Sequence, residues 1–166
     1  DYLFLENSQT GRYKFTSSRF MFCDLIGQIV SDAEAVLKPG QEIRTKLCQT
    51  PTVVVQDRKV VDIIVRNVLY NAIKYSPPDT VVKISALEID GEIHIVVKDQ
   101  GSGLGDGPVD MLTQRFQRGS NTQGIVGSGL GLTIAKDVLV AHGGRLELKT
   151  LQGKKGTCAT LVLPSS

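Results

Sequence analysis

Asn67, Asn71 and Lys74 are the first residues in this sequence whose types and spacing could do chemistry. In a helix they fall on one stripe, with Tyr75 beside it, because residues three and four apart are neighbours. Amide oxygens can ligand a divalent cation, and an ammonium group can bind an anion such as phosphate. Two asparagines alone would more often lie at the margin of a core, but Lys74 shifts the interpretation toward a binding face.

A second candidate, Asp99-Gln100-Gly101-Ser102-Gly103, directly follows a predicted strand. A carboxylate at the end of a strand can accept a hydrogen bond from an exocyclic amine, and glycines let the backbone approach a flat ligand. Taken alone, this string is more typical of a turn with an aspartate cap.

A third candidate, Gly127 to Leu132, reads Gly-Ser-Gly-Leu-Gly-Leu and precedes a predicted helix. Free N–H groups and the positive end of a helix dipole attract phosphate. The glycine spacing matches neither the dinucleotide-binding fingerprint nor the P-loop. Each of the three candidates alone is more typical of a structural feature, but their occurrence in this order across some sixty-five residues favours a functional site.

Apolar spacing and turn signals predict the elements that must position these residues. Helices are predicted over residues 20–37, 57–75 and 130–141, with Asp57 as the N-cap of the second. Strands are predicted over residues 12–16, 42–47, 52–55, 81–89, 92–98, 145–150 and 157–163. Asp90-Gly91 predicts a hairpin, and the last two strands predict another. The expected fold is an α/β sandwich, a two-layer α+β arrangement whose mixed, mostly antiparallel sheet has about three helices on one face.

Composition narrows the class of protein. The chain has 166 residues, of which 41% are hydrophobic and 22% charged, which is typical of one globular domain. Its 19 basic and 17 acidic residues give no electrostatic case for nucleic acid or an anionic membrane as a partner. Apolar runs are too short to span a bilayer, and three scattered cysteines favour a reducing compartment. We therefore expect a cytoplasmic domain, with any inner-membrane anchor of a full-length protein lying outside this sequence.

Together the candidate segments resemble the sequence boxes of the sensor histidine kinase catalytic domain, the HATPase_c or GHKL domain. The similar segments are 67–76 (N box), 99–103 (G1 box), 115–119 (F box), 127–136 (G2 box), 142–144 and 156–164. The resemblance covers about residues 57–164. It implies the Bergerat ATP-binding fold that gyrase, Hsp90 and MutL share.

The resemblance also implies roles for residues at matching positions. Asn71 would ligand Mg²⁺, with Asn67 in support one turn earlier. Lys74 would contact phosphate, Arg118 the γ-phosphate, and Asp99 would accept a hydrogen bond from the adenine amino group. Further contacts with ATP would come from Tyr75, Gly101, Gly103, Leu104, Phe116, Gly127, Ser128, Gly129, Leu130, Gly131 and Thr157.

The function implied by the resemblance is that of the catalytic domain of a two-component kinase. The domain would donate the γ-phosphate of ATP to a histidine on a dimerisation domain outside this sequence, and the full-length kinase would act on a response regulator. No His-Glu/Asp-x-x-x-Pro phosphoacceptor motif is present, and both histidines, His94 and His142, suit structural positions. We therefore expect the chain alone to be nearly inactive in phosphotransfer.

Two alternatives are a degenerate nucleotide-binding regulatory module and a stand-alone GHKL serine kinase. In the serine kinases and in hydrolytic relatives, the position of Asn67 is typically a glutamate that acts as a general base. An amide cannot accept a proton in this way, so Asn67 favours transfer to histidine. The intact Asn71, Lys74 and Asp99 argue against a degenerate module.

The expected organisation is an N-terminal segment, 1–19, that follows the dimerisation helices, and an ATP-binding domain, 20–166, with its motif core at 57–164. Residues 104–126 would form the mobile ATP lid. Thr113 stands where the F box usually has its first phenylalanine, which weakens the expected docking of the lid.

Overall fold

The structure, a computed structural model, describes residues 16–47, 52–101, 139–140, 143–150 and 156–165. In chain order, the elements are β1 (Ser18–Met21), α1 (Phe22–Ala33), a 3-10 turn (Glu34–Val36), β2 (Glu42–Lys46), β3 (Val53–Gln56), α2 (Arg58–Tyr75), β4 (Val81–Ile89), β5 (Glu92–Lys98), β6 (Arg145–Thr150) and β7 (Thr157–Pro164). Most of the strand predicted at 12–16 and most of the helix predicted at 130–141 lie outside the described residues. The two described positions of that helix, Leu139 and Val140, are helical.

Five strands form the main sheet, in the order β2-β4-β5-β7-β6. The β2–β4 pair is parallel, and the other three pairs are antiparallel. This confirms the prediction of a mixed, mostly antiparallel sheet. Strands β1 and β3 form a separate two-stranded antiparallel sheet, which the sequence did not predict.

The predicted Asp90-Gly91 hairpin is confirmed, and so is the antiparallel pairing of the last two strands, whose connecting residues 151–155 lie outside the described part of the chain. Between β4 and β5, Asp90 and Gly91 have φ values of 51° and 78°, so both adopt the left-handed conformation that a tight Asp-Gly hairpin requires. Strands β6 and β7 pair antiparallel with Thr150 opposite Thr157. In the resulting register, Lys98 at the end of β5 pairs with Lys83 of β4 and with Cys158 of β7.

The first helix is shorter than predicted. Residues Ser18–Met21 pair with β3, and the Phe22 N–H donates to the Thr52 carbonyl at 3.0 Å, so the helix begins only at Phe22. It ends at Ala33 and continues as a 3-10 turn to Val36. The apolar spacing continued through the strand, and only pairing with a distant segment decides its conformation. The proposed division between residues 19 and 20 lies within β1.

The core lies between the main sheet and the helices. Helix α2 packs against β4, β5 and α1. Along β5, buried Ile93, Ile95 and Val97 alternate with partly exposed residues, which places one face of the sheet against the helical layer. This confirms the two-layer α/β architecture and fixes α2 on the sheet. Neither described helix is long and apolar enough to cross a membrane.

Candidate functional site

The site is built around the carboxyl-terminal half of α2. The helix starts at the predicted N-cap, since the buried Asp57 carboxylate accepts from the N–H groups of Lys59 (3.1 Å) and Val60 (3.2 Å). It ends at Tyr75, because Ser76 is extended and precedes a proline, which disfavours the helical conformation. The predicted helix of 57–75 is therefore confirmed.

Asn67, Asn71 and Lys74 lie on one face of α2 and are all partly exposed. The Asn71 side-chain nitrogen is buried and has no hydrogen-bond partner among the described residues. No hydrogen bond from this nitrogen to a described residue fixes the orientation of the amide. A rotation that exchanges its nitrogen and oxygen would direct the oxygen to the same place.

Lys74 and Tyr75 form a contact at the end of the helix. The Lys74 ammonium nitrogen lies 5.0 Å from the centroid of the Tyr75 ring, within the range of a cation–π interaction. Partial burial lowers the pKa of Lys74, because desolvation disfavours the charged form. A bound anion would stabilise this ammonium group.

Asp99 lies just beyond the end of β5 and is tied to β7. Its Oδ1 accepts from the N–H groups of Gly101 (2.9 Å) and Thr157 (3.0 Å), and its own N–H donates to the Thr157 carbonyl (2.9 Å). Burial raises the pKa of Asp99, and the two N–H donors oppose that shift. Because both bonds end on Oδ1, the other carboxylate oxygen is the candidate acceptor for a ligand.

Gly101 brings this carboxylate to the end of α2. A Cβ atom at residue 101 would lie 2.5 Å from the Tyr75 carbonyl oxygen, so only glycine allows this approach. The neighbouring Gln100 accepts from the Val81 N–H at 2.7 Å and fixes the loop to the start of β4. The structure therefore brings together Tyr75, Asp99, Gly101 and buried Thr157, with Lys74 and Asn71 on the adjoining helix.

The other predicted site residues lie outside the described part of the chain. These are Gly103, Leu104, Phe116, Arg118, Gly127, Ser128, Gly129, Leu130 and Gly131. Their contacts with a nucleotide, and the lid over 104–126, remain predictions.

Two residues at this site were missed by the sequence analysis. Lys38 and Gln41 donate to carbonyl oxygens at the end of α2. The only signal was indirect: the helix ends at Tyr75 and is followed by Ser76-Pro77 and not by glycine, so its last carbonyls need other donors. Nothing in the local sequence says which residues supply them.

Comparison with known proteins identifies the family and the fold. Residues 56–166, more than half of the chain, match the HATPase_c family, described as histidine kinase-, DNA gyrase B- and HSP90-like ATPases. The phosphate regulon sensor protein PhoR of Pseudomonas aeruginosa is 33% identical over 136 residues, which are 80% of this chain and 30% of PhoR. The sensor histidine kinase WalK of Bacillus subtilis is 30% identical over 169 residues, 99% of this chain and 27% of WalK. The chain thus spans less than a third of the length of these relatives.

Solved structures show the same fold. The mycobacterial sensor histidine kinase MprB is 29% identical, with a TM-score of 0.71 over 90% of this chain and 97% of that one. Histidine kinase ThkA, solved in complex with the response regulator protein TrrA, is 15% identical with a TM-score of 0.74, and the match covers 99% of this chain and 47% of that one. The alternative of a degenerate module is not favoured by these relatives. The chain belongs to the family of histidine kinase-, DNA gyrase B- and HSP90-like ATPases, as an ATP-binding catalytic domain of the sensor histidine kinase type.

Proposed function

We propose that this domain binds Mg²⁺·ATP and donates the γ-phosphate to a histidine on a dimerisation domain of the same kinase. The observation that carries the proposal is the convergence of the Asn67–Asn71–Lys74 face with the Asp99 carboxylate through the contact of Gly101 with Tyr75. Asp99 would accept from the adenine amino group, and the helix face would meet the phosphates. In this orientation the adenine would lie at the loop after β5 and the phosphates along α2, two elements that meet where Gly101 contacts Tyr75.

The Asp99 carboxylate supports selectivity for adenine. A carboxylate oxygen accepts from an amino group and repels a carbonyl oxygen, which guanine has at the same ring position. The N–H groups of Gly101 and Thr157 bind Oδ1 of Asp99 and so hold the carboxylate, and with it the second oxygen, in a fixed orientation. The adenine end of the site is therefore preorganised.

Asn71 fits a magnesium site that is completed by the nucleotide. Within the described residues, no three His, Cys, Asp or Glu side chains group around a possible metal position. Mg²⁺ in nucleotide sites is typically held by few protein ligands together with phosphate oxygens and water. The Asn71 amide, whose buried nitrogen has no hydrogen-bond partner among the described residues, could supply one such ligand through its oxygen, and the metal would offset charge on the phosphates.

Asn67 supports transfer to histidine over hydrolysis. It lies one turn before Asn71 on the same helix face, where a carboxylate could activate water. An amide cannot take a proton from water, so ATP stays intact until a nucleophile that needs less activation reaches the γ-phosphate. The chemistry is then mainly positioning and neutralisation of charge, in which Lys74 and, by prediction, Arg118 take part.

Incubation with γ-labelled ATP tests the transfer. The chain alone should bind ATP, hydrolyse it very slowly and take up no acid-labile label. Addition of the purified dimerisation helices of the same kinase should produce a labelled histidine on those helices. Labelling of the isolated chain, or rapid release of phosphate without the helices, would contradict the proposal.

The partners and location follow from the same proposal. A response regulator would receive the phosphate from the full-length kinase, as the ThkA complex with TrrA suggests by similarity. The domain would work in the cytoplasm, where ATP is available, without binding nucleic acid or membrane itself. Incubation of the phosphorylated full-length kinase with its candidate response regulator tests the partner, because the label should move from the kinase to the regulator.

A further inference from the structure

The carboxyl end of α2 is closed by residues from another part of the chain. Helices leave their last carbonyl groups without partners in the helix, and many close with a left-handed glycine. In α2 the next residue, Ser76, has φ −95° and ψ 141°, and a proline follows, so this local closure is absent. Lys38 donates from its ammonium group to the Lys74 carbonyl at 2.6 Å and also to the Ser76 carbonyl.

Gln41 completes the closure. Its side-chain nitrogen donates to the carbonyls of Ile73 (3.1 Å) and Ser76 (3.4 Å), while its oxygen accepts from the Lys38 N–H at 3.0 Å. Gln41 is only 6% exposed, so water cannot easily replace these bonds. The carbonyl between them, that of Tyr75, is in contact with Gly101.

The segment that carries these donors is itself fixed in place. Gly40 has a φ of 73°, and a Cβ atom there would overlap the Asp79 carboxylate. The Asp79 N–H donates to the Pro39 carbonyl at 3.1 Å. The turn at residues 38–41 is therefore anchored to the loop that follows α2, and Lys38 and Gln41 have little freedom to move away.

We propose that Lys38 and Gln41 are positioning residues of the nucleotide site: they hold the last turn of α2, and with it Asn71, Lys74 and Tyr75, in the arrangement that binds ATP. They bind the backbone between the proposed phosphate contacts and the Gly101 loop. Both act on the backbone carbonyls of α2 and Ser76, and neither is among the proposed nucleotide contacts. The inference rests on the proposed nucleotide site and adds to it a requirement outside the family's sequence boxes.

The test compares Lys38→Met with Asp57→Ala by calorimetric titration of Mg²⁺·ATP and by thermal unfolding. Methionine keeps the length and packing of the side chain but removes the donor. Asp57→Ala removes the cap at the opposite end of the same helix, about 27 Å away at 1.5 Å per residue. It therefore controls for a general loss of helix stability.

We expect Lys38→Met to weaken binding about tenfold or more, because small misplacements of binding groups have large effects. Asp57→Ala should bind as the wild type does, even if it unfolds at a lower temperature. Lys38→Arg should restore most of the affinity, since a guanidinium can donate to two carbonyls. Gln41→Leu should have a smaller effect than Lys38→Met, because Lys38 would still bind the carbonyls of both Lys74 and Ser76, whereas Gln41 donates to Ser76 only over 3.4 Å and does not bind the Lys74 carbonyl.

Unchanged affinity in Lys38→Met, or an equal loss in Asp57→Ala, would overturn the proposal. Failure of the wild type to bind ATP would instead reject the proposed function. In that case the positioning role of Lys38 is still tested by the side-chain amide signal of Asn71 in the NMR spectrum of the ATP-free protein. A shift in Lys38→Met but not in Asp57→Ala supports positioning, and unchanged signals in both reject it.

Discussion

The two ends of α2 are closed in opposite ways. At the amino end, Asp57 caps the helix from the adjacent position in the sequence. At the carboxyl end, the donors come from Lys38, 36 residues before the carbonyl of Lys74, and from Gln41, 32 residues before that of Ile73. The amino end carries none of the proposed nucleotide contacts, whereas the carboxyl end carries Asn71, Lys74 and Tyr75.

This difference separates stability from binding within one helix. The hydrogen bonds that cap the start of the helix, from the N–H groups of Lys59 and Val60, come from residues next to Asp57, although its carboxylate also accepts from the distant Thr16 N–H. The carboxyl end is positioned by contacts with the turn at 38–41 and with the loop that contains Gly101. Its geometry therefore depends on segments that are distant in the sequence. We therefore expect changes at the amino end to alter unfolding, and changes around the carboxyl end to alter ATP affinity.

The largest expected effect is a loss of ATP affinity in Asp99→Asn, near the carboxyl end of α2. The amide oxygen can still accept from Gly101 and Thr157, so the fold should persist, but an NH₂ group replaces the oxygen proposed to accept from adenine. Loss of a hydrogen bond to a charged group costs about 1.5–3 kcal/mol, which is roughly ten- to a hundredfold in affinity. Calorimetric titration of ATP and thermal unfolding check the two halves of this prediction. Equal affinity in the variant would remove Asp99 from the adenine site.

Gly101→Ala should lower both binding and stability. The added Cβ would lie 2.5 Å from the Tyr75 carbonyl oxygen, so the loop or the end of α2 must shift. Overpacking of this kind costs about 1–3 kcal/mol. Denaturant unfolding and ATP titration measure the two effects.

Gly27→Ala is the matched control, because Gly27 lies on the exposed side of α1 and an added Cβ there would meet no atom within 4 Å among the described residues outside its own helical turn. It should raise the stability by about 0.5–1 kcal/mol through helix propensity and leave ATP affinity unchanged. If both alanine variants behaved alike, the close contact with Tyr75 would not matter.

At the amino end, Asp57→Ala should reduce the free energy of unfolding by about 0.5–2 kcal/mol, the usual cost of removing an N-cap. The variant also loses the hydrogen bond from the Thr16 N–H. Asp57→Asn should recover most of the loss, because asparagine caps nearly as well. Urea unfolding of the three proteins makes the measurement, and a larger loss in Asp57→Asn than in Asp57→Ala would disprove capping.

The smallest effect is a pH dependence from Asp99. Because its pKa is raised in the folded state, the folded protein binds more protons than the unfolded chain between the usual aspartate pKa, about 3.9, and the raised value. The stability of the wild type relative to Asp99→Asn should therefore fall as the pH rises through this window, and level off above it. Urea unfolding of both proteins across the acidic range tests the sign. A difference that grew with pH would mean that the N–H donors outweigh burial.

Much of the scaffold could be predicted because its signals are local. The N-cap at Asp57, the Asp90-Gly91 turn and the regular apolar spacing of α2 each specify structure within a few residues. The start of the first helix was predicted two residues too early because Ser18–Met21 is a strand only through pairing with Val53–Gln56. The parallel β2–β4 pair and the separate small sheet likewise depend on contacts between distant segments.

The sequence by itself determined which groups could bind a nucleotide: helical spacing puts two amides and an ammonium on one face of α2, and a carboxylate follows β5. It also determined the family, through the order of these segments. Only the tertiary structure decided that Gly101 meets the Tyr75 carbonyl, that Thr157 holds Asp99, and that Lys38 and Gln41 close the helix. The physical reason is that a helix start can be satisfied by its neighbours, whereas carbonyls at a proline-terminated end accept donors from wherever the fold brings them.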